Sequence, residues 1–107
     1  MTRVEFYRNN SSDIVKFIID GHSEFADEND IVCSAISSVS YMVLNGIEKI
    51  LNVKFGYEKK DGYLMFVLPE DVDKRNEVNI LLDSMYLFLK SLEEQYPDNI
   101  SIKEPEV

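Results

Sequence analysis

Hydrophobic residues in this chain follow two different periods, and the order in which these periods alternate limits the fold more than any other feature. Residues 2–8 and 14–22 alternate apolar and polar positions and are rich in β-branched side chains, which predicts two hairpinned strands. Residues 31–51 have apolar positions at helical spacing, directly after Asp30, a preferred N-cap residue. The predicted inward stripe of this helix is Val32, Ala35, Ile36, Val39, Val43, Gly46, Ile47 and Ile50, and the inward strand residues are Val4, Phe6, Val15, Phe17 and Ile19.

The second half of the chain repeats the pattern. Residues 53–58 and 62–68 predict a second hairpin around a Lys-Asp-Gly turn, and the second of these strands is apolar on both faces, which is typical of a central strand. Residues 70–96 predict a helix that ends at Pro97, and 99–103 suit a short final strand. The predicted core side of that helix is Val78, Leu81, Leu82, Met85, Phe88, Leu89, Leu92 and Tyr96.

The element order ββαββαβ predicts an α+β fold, with an antiparallel or mixed sheet and two long helices. At 107 residues, the chain is long enough for one compact domain and too short for two. We therefore expect a single domain over residues 1–107.

The charge balance limits the partners. The chain has 20 acidic and 11 basic side chains, a formal net charge of -9. Because affinity for nucleic acid depends on basic side chains that displace counterions, direct nucleic-acid binding is not expected. A basic polypeptide would instead be attracted to this surface.

Cysteine content and hydropathy indicate the compartment. One cysteine, Cys33, cannot form an internal disulfide, and a reducing compartment would keep its thiol free. The N-terminal residues lack the apolar middle region of a signal peptide, and no apolar stretch is expected to approach the roughly 20 residues that span a bilayer. We expect a cytoplasmic protein without a membrane partner.

His22 and Cys33 are the only histidine and cysteine of the chain. If Asp30 caps the helix, Cys33 is its third residue, where unpaired backbone N–H groups and the positive end of the helix dipole favour a thiolate. His22 follows Gly21 at the predicted strand end, near enough for its imidazole to reach the sulfur. Ser37 lies four residues after Cys33, on the same flank of the helix.

Structural explanations for the same residues remain open. A free cysteine is often a small buried hydrophobe, a histidine at a strand end is often only solvated, and Asp30 needs no role beyond capping. A metal site is not expected, because one His and one Cys lack further soft ligands.

The stretch around Cys33 resembles the ribosomal-processing cysteine protease family, Prp. The family pattern is Gly-His, an aromatic and a small residue, then Asp, two aliphatic residues, Cys, and a Ser four residues later. Family members usually have one more residue between His and Cys and often a Gly before the Asp, where this chain has ADEND. The matching residues are Gly21, His22, Phe25, Ala26, Asp30, Ile31, Val32, Cys33 and Ser37.

This resemblance implies a bacterial endopeptidase without a cofactor. Its substrate would be the N-terminal extension of large-subunit ribosomal protein number twenty-seven, cut after a pair of phenylalanines. Cys33 would be the nucleophile and His22 the general base, with an acyl-enzyme intermediate. Asp30 would either orient His22 or only cap the helix, Ser37 would contact substrate, and backbone N–H groups at the helix start are candidate oxyanion donors.

Two further expectations concern partners. An acidic surface with an apolar groove beside Cys33 would suit a basic substrate that is apolar near the cut. Homodimers are usual in the resembled family, and the second helix has an apolar outward seam formed by Ile80, Ser84, Leu87 and Ser91. The alternative to a protease is a non-catalytic, acidic, ribosome-associated module that binds a basic peptide and uses Cys33 only for packing.

Overall fold

A computed structural model of the chain describes residues 1–24, 26–27 and 30–106. The predicted α+β class and the order ββαββαβ are confirmed. The elements are β1 (Thr2–Arg8), β2 (Ile14–Asp20), α1 (Ile31–Asn45), β3 (Gly56–Lys60), β4 (Tyr63–Val67), α2 (Arg75–Gln95) and β5 (Ile100–Lys103).

The strands form one mixed sheet in the order β3-β4-β2-β1-β5, in which β5 runs parallel to β1 and the other pairs are antiparallel. As its apolar pattern predicted, β4 lies inside the sheet. Phe6 pairs with Phe17 and Phe17 with Phe66, so three fully buried rings lie in one row beneath the helices. The rings of Phe17 and Phe66 stack with their centroids 4.9 Å apart, which adds to the free energy gained from burial.

The first helix does not continue regularly to residue 51. After α1, residues Gly46–Ile50 form a π-helical turn, in which Leu51 N–H donates to the Gly46 carbonyl. A π turn holds more residues than an α turn, so the side chain at its end is rotated away from the inward stripe. The prediction that Ile50 lies in the core is therefore wrong: Ile50 is 78% exposed, whereas Ile47 is fully buried.

The second helix begins later than predicted. Lys74 has a left-handed backbone with φ of 58°, which excludes residues 70–74 from the helix, and α2 begins at Arg75. Its end at Gln95, just before Pro97, agrees with the prediction. Phe88, expected in the core, is 44% exposed and lies at the edge of the buried stripe.

The strand boundaries also differ. The predicted strands 14–22, 53–58 and 62–68 are observed as β2, β3 and β4, so β2 is shorter and β3 is displaced towards the turn. A register shift at Tyr7 and Arg8 lies opposite the start of β2. As a result Ile14 is buried, while Val15, predicted to share the face of Phe17, is only half-buried.

The first helix, with the π-helical turn that follows it, is longer and more apolar than expected. The stretch Ile31–Ile50 is 20 residues long and apolar enough, by length and composition, to cross a membrane. The expectation that no apolar stretch approaches this length is therefore wrong. The same test is passed by core helices of folded domains, and α1 packs against α2 with Val32, Ile36 and Val43 buried.

Candidate active site

The first turn of α1, the segment after β2 and the β3–β4 turn surround a cleft of about 220 Å³. Cys33 and Ser37 line it from the helix, Gly21 and His22 from the segment after β2, and Asp61 from the turn. Cys33 is half-buried and His22 is exposed. The fold therefore brings the only cysteine and the only histidine of the chain to the walls of one cleft.

Asp30 caps α1, as predicted. Its Oδ1 atom accepts hydrogen bonds from the backbone N–H groups of Val32 and Cys33, each at 3.0 Å. Cys33 is the third residue of the helix, and its side chain faces the cleft. Ser34 N–H donates to the Asp30 carbonyl, also at 3.0 Å.

This capping overturns one expectation. The N–H groups of Val32, Cys33 and Ser34 all have partners in Asp30, so they are not open to a substrate carbonyl. The hypothesis that the start of the helix supplies oxyanion donors is wrong for these three groups. Ser37, exposed and one turn further along the cleft wall, carries a hydroxyl that faces the same space.

Gly21 holds the backbone before His22 in a position that other residues cannot adopt. Its φ of 97° is left-handed, and a Cβ here would lie 2.6 Å from the Met1 carbonyl oxygen. Its N–H donates to the Gly62 carbonyl at 2.8 Å, which continues the β2–β4 pairing into the turn. Gly21 belongs to the family pattern, and this geometry gives a physical reason for a glycine at that position.

The imidazole of His22 lies over the β3–β4 turn. A Cβ at Gly62 would approach His22 Nε2 to 2.9 Å, so the absence of a side chain there leaves room for the ring. Nε2 lies 3.9 Å from Asp61 Oδ2, with 61% of the His22 side chain exposed. Among the described residues Asp61 is thus the carboxylate beside the histidine, and Asp30 serves the helix.

Cys33 Sγ contacts Ser23, the residue after His22. Ser23 N–H donates to the sulfur at 3.3 Å, and Ser23 Oγ lies 3.1 Å from it. Within the described part of the chain, no hydrogen bond joins Cys33 to His22. Because the imidazole is exposed, the His22 side chain has room to rotate about its side-chain bonds.

Two residues of the family pattern, Phe25 and Ala26, lie in the sequence between β2 and α1. Phe25 lies outside the described residues. Ala26 is exposed, and its N–H donates to Asp30 Oδ2 at 3.3 Å, so Ala26 contacts the helix cap.

Tyr41 closes the cleft two turns from Cys33. Lys59 Nζ lies 4.8 Å from the centre of its ring, so this pair joins α1 to β3 beside the cleft. The hydrogen bond to Tyr41 raises the pKa of Lys59, and the hydrogen bond to Glu58 raises the pKa of Lys60. Both amino groups stay positive at neutral pH beside an otherwise acidic molecule.

Sequence reasoning missed Ser23, Asp61 and Gly62. Nothing in the sequence marks Ser23, because its contacts depend on the path of the loop. Asp61 and Gly62 were assigned only to the hairpin turn. The pairing of Asp20 with Tyr63 brings that turn beside the histidine, and this register is set by the assembled sheet and not by the local sequence. In the described residues, no group of three or more His, Cys, Asp or Glu side chains is arranged to hold a metal ion.

Comparison with known proteins identifies the family. The model of the family described as cysteine protease Prp matches residues 1–101. The chain belongs to the cysteine protease Prp family. This assignment confirms the resemblance and makes the chain a cysteine protease, and the non-catalytic binding module is set aside.

Individual relatives agree with the Prp assignment. The ribosomal processing cysteine protease Prp of Bacillus subtilis is 28% identical over 111 aligned positions, covering 95% of this chain and 96% of the relative. The Staphylococcus aureus protein of that name is 27% identical, covering 95% and 97%.

Solved structures share the Prp fold. The S. aureus protease in complex with a covalently linked product peptide superimposes with a TM-score of 0.87 at 24% identity, covering 98% of this chain and all of that one. Its complex with a substrate peptide gives a TM-score of 0.86 at 23% identity, with the same coverage. A protein from Streptococcus mutans gives 0.81 at 24% identity, covering 100% of this chain and 96% of that one.

Proposed function

We propose that this protease removes the N-terminal extension of large-subunit ribosomal protein number twenty-seven, cutting after a pair of phenylalanines, in the cytoplasm. Support comes from the curated relatives, which are ribosomal processing proteases, and from the S. aureus structures with substrate and product peptides. The net charge of -9 supports a basic substrate.

The observation that carries the proposal is the placement of Cys33 and His22 on the walls of one open cleft. Cys33 is half-buried and lines the cleft. Gly21 fixes the backbone before His22, whose side chain is 61% exposed. A nucleophile needs a fixed position and a base needs to reach both the nucleophile and the leaving group.

In the proposed reaction, His22 takes the thiol proton and Cys33 Sγ attacks the scissile carbonyl carbon. The tetrahedral intermediate collapses as the imidazolium gives its proton to the leaving amine, the C–N bond breaks, and a thioester remains on Cys33. His22 then takes a proton from water, whose oxygen attacks the thioester. Breakage of the C–S bond releases the new carboxyl group, and the imidazolium returns its proton to the sulfur, which restores the thiol and the neutral imidazole.

Supporting residues have separate tasks in this scheme. Asp30 fixes the helix start and hence Cys33, and Gly21 fixes the backbone before His22. Ser37 contacts the substrate along the cleft wall and is the proposed hydroxyl donor to the developing oxyanion. Removal of one such donor typically costs about 100-fold or more in kcat, so Ser37→Ala tests its role.

The decisive experiment incubates the protein with the ribosomal protein carrying its extension and weighs the products by mass spectrometry. Cys33→Ala and His22→Ala are expected to abolish cleavage while keeping the wild-type circular dichroism spectrum. Ser38→Ala is a matched control, because Ser38 is exposed on α1 and does not line the cleft. Cleavage by Cys33→Ala at the wild-type rate would refute the proposal.

A substrate control tests the site of cutting. The same ribosomal protein with both phenylalanines replaced by alanine should be cleaved far more slowly, because each lost ring removes apolar surface that the protease would bury on binding. Equal cleavage would refute this specificity.

We further propose that the protease is a homodimer through the outward seam of α2. Ile80 and Leu87 are 66% and 65% exposed, and Ser84 and Ser91 lie between and beside them on the same face. Leu87→Glu should convert a dimer to a monomer in analytical ultracentrifugation, since the charge would be buried at the interface. A wild-type protein that sediments as a monomer would refute this part.

A further inference from the structure

Ser23 is the one serine beside the candidate nucleophile whose side chain is fully buried, although its neighbour His22 is exposed. Its hydroxyl oxygen lies 2.6 Å from Asp30 Oδ2 and 3.1 Å from Cys33 Sγ, and its N–H donates to the same sulfur at 3.3 Å. Asn99 Nδ2 donates to the Ser23 carbonyl at 3.0 Å. Every polar group of Ser23 therefore has a partner, and two of them face the sulfur.

The hydroxyl carries a single proton, which fixes the direction of these bonds. A carboxylate only accepts hydrogen bonds, so at 2.6 Å the Ser23 hydroxyl donates to Asp30. With its proton used there, Ser23 Oγ faces the sulfur with a lone pair and accepts from the thiol S–H. This arrangement suits the protonated cysteine.

Removal of the thiol proton changes the hydrogen bonds that the sulfur can make, because a thiolate only accepts and is stabilised by hydrogen-bond donors. The Ser23 N–H already points at it. If the hydroxyl turns from Asp30 to the sulfur, Asp30 Oδ2 keeps the N–H of Ala26, and Oδ1 keeps its two helix donors. The turn therefore leaves the carboxylate paired. It exchanges one charge-assisted hydrogen bond, from the hydroxyl to the Asp30 carboxylate, for another, from the hydroxyl to the thiolate.

We propose that Ser23 is a positioning residue that holds Cys33 Sγ in the cleft and turns its hydroxyl onto the sulfur when the thiolate forms. This inference rests on the proposed role of Cys33 as nucleophile. Ser23, which directly follows His22, would thus support the sulfur of Cys33. One short segment would then serve both the proposed base and the proposed nucleophile.

The test is the pH dependence of alkylation by iodoacetamide, measured on the full-length protein without substrate. Cys33 is the only cysteine, so the rate reports on this sulfur alone. Ser23→Ala should react about tenfold more slowly at pH 7, with the midpoint of its profile at higher pH, because a hydrogen bond to a charged group is lost. Ser23→Thr, which keeps the hydroxyl, should react within about twofold of the wild type.

Controls separate this role from a packing effect. Ser38→Ala removes an exposed hydroxyl from the same helix as Cys33 and should leave the profile unchanged. A wild-type profile for Ser23→Ala, or a Ser23→Thr variant as slow as Ser23→Ala, would overturn the proposal. Alkylation needs no substrate, whereas the proposed function is tested by cleavage and fails if the wild type does not cut the ribosomal protein or if Cys33→Ala still cuts it. The two failures are therefore distinguishable.

Discussion

Replacement of Asp30 by alanine should destabilise the protein more than loss of an ordinary helix cap. Two N–H groups of α1 lose their acceptor, which costs about 1 kcal/mol. The buried hydroxyl of Ser23 also loses its 2.6 Å partner, which costs about 1–3 kcal/mol, towards the lower end because Cys33 Sγ remains beside it. The expected total is about 2–3 kcal/mol.

Urea unfolding followed by far-UV circular dichroism measures this loss at pH 7, and thermal melting should show a decrease of roughly 8–12 °C for a domain of this size. Asp30→Asn keeps an acceptor oxygen for the helix and should cost less than about 1 kcal/mol. Asp71→Ala, at an exposed aspartate, should change stability by less than about 0.5 kcal/mol. A loss for Asp30→Ala no larger than that of this control would refute the reasoning.

Three further changes test other parts of the structure. Gly62→Ala, at a φ of 68° and with a Cβ 2.9 Å from the histidine ring, should displace the imidazole and slow cleavage by up to about 100-fold; unchanged kcat/KM would contradict this. Ile47→Ala should cost about 2–5 kcal/mol and Ile50→Ala less than about 0.5 kcal/mol in urea unfolding, and equal losses would contradict the π-helical turn. The hydrogen bond from Arg8 lowers the pKa of Glu104, so the stabilisation from this bond exists at neutral pH and is lost as pH falls through the lowered pKa. Glu104→Gln should be less stable than the wild type at pH 7 by under about 1 kcal/mol, because the side chain is 43% exposed and the interaction is screened by solvent, and this difference in stability should close as the carboxyl group becomes protonated. A gap that widens in acid would contradict this sign.

The sequence predicted the local setting of Cys33 because helix capping is a local event. Asp30 and Cys33 are three residues apart, and the cap bonds between them depend only on the start of one helix. The surroundings of His22 were not predictable in the same way. Gly62 and Asp61 reach it through the pairing of β2 with β4, across some forty residues of chain.

The predicted core residues also differ in outcome, according to whether local periodicity or tertiary packing decides their burial. Val4 and Ile47 were predicted from period alone and are fully buried. Ile50 and Phe88 had the same period and are exposed, since the first ends the π turn and the second lies where the packing of α2 leaves an edge open.

By itself, then, the sequence determined the order of the elements, the α+β class, the helix cap and the residue pair proposed for the chemistry, because period, capping and motif act over a few neighbouring residues. Only the tertiary structure decided that Ser23 faces the sulfur, that Asp61 and not Asp30 lies beside the histidine, and that the N–H groups at the start of α1 are already occupied. Hydrogen-bond partners distant in sequence are fixed by strand register and loop path, and those depend on how the whole sheet pairs.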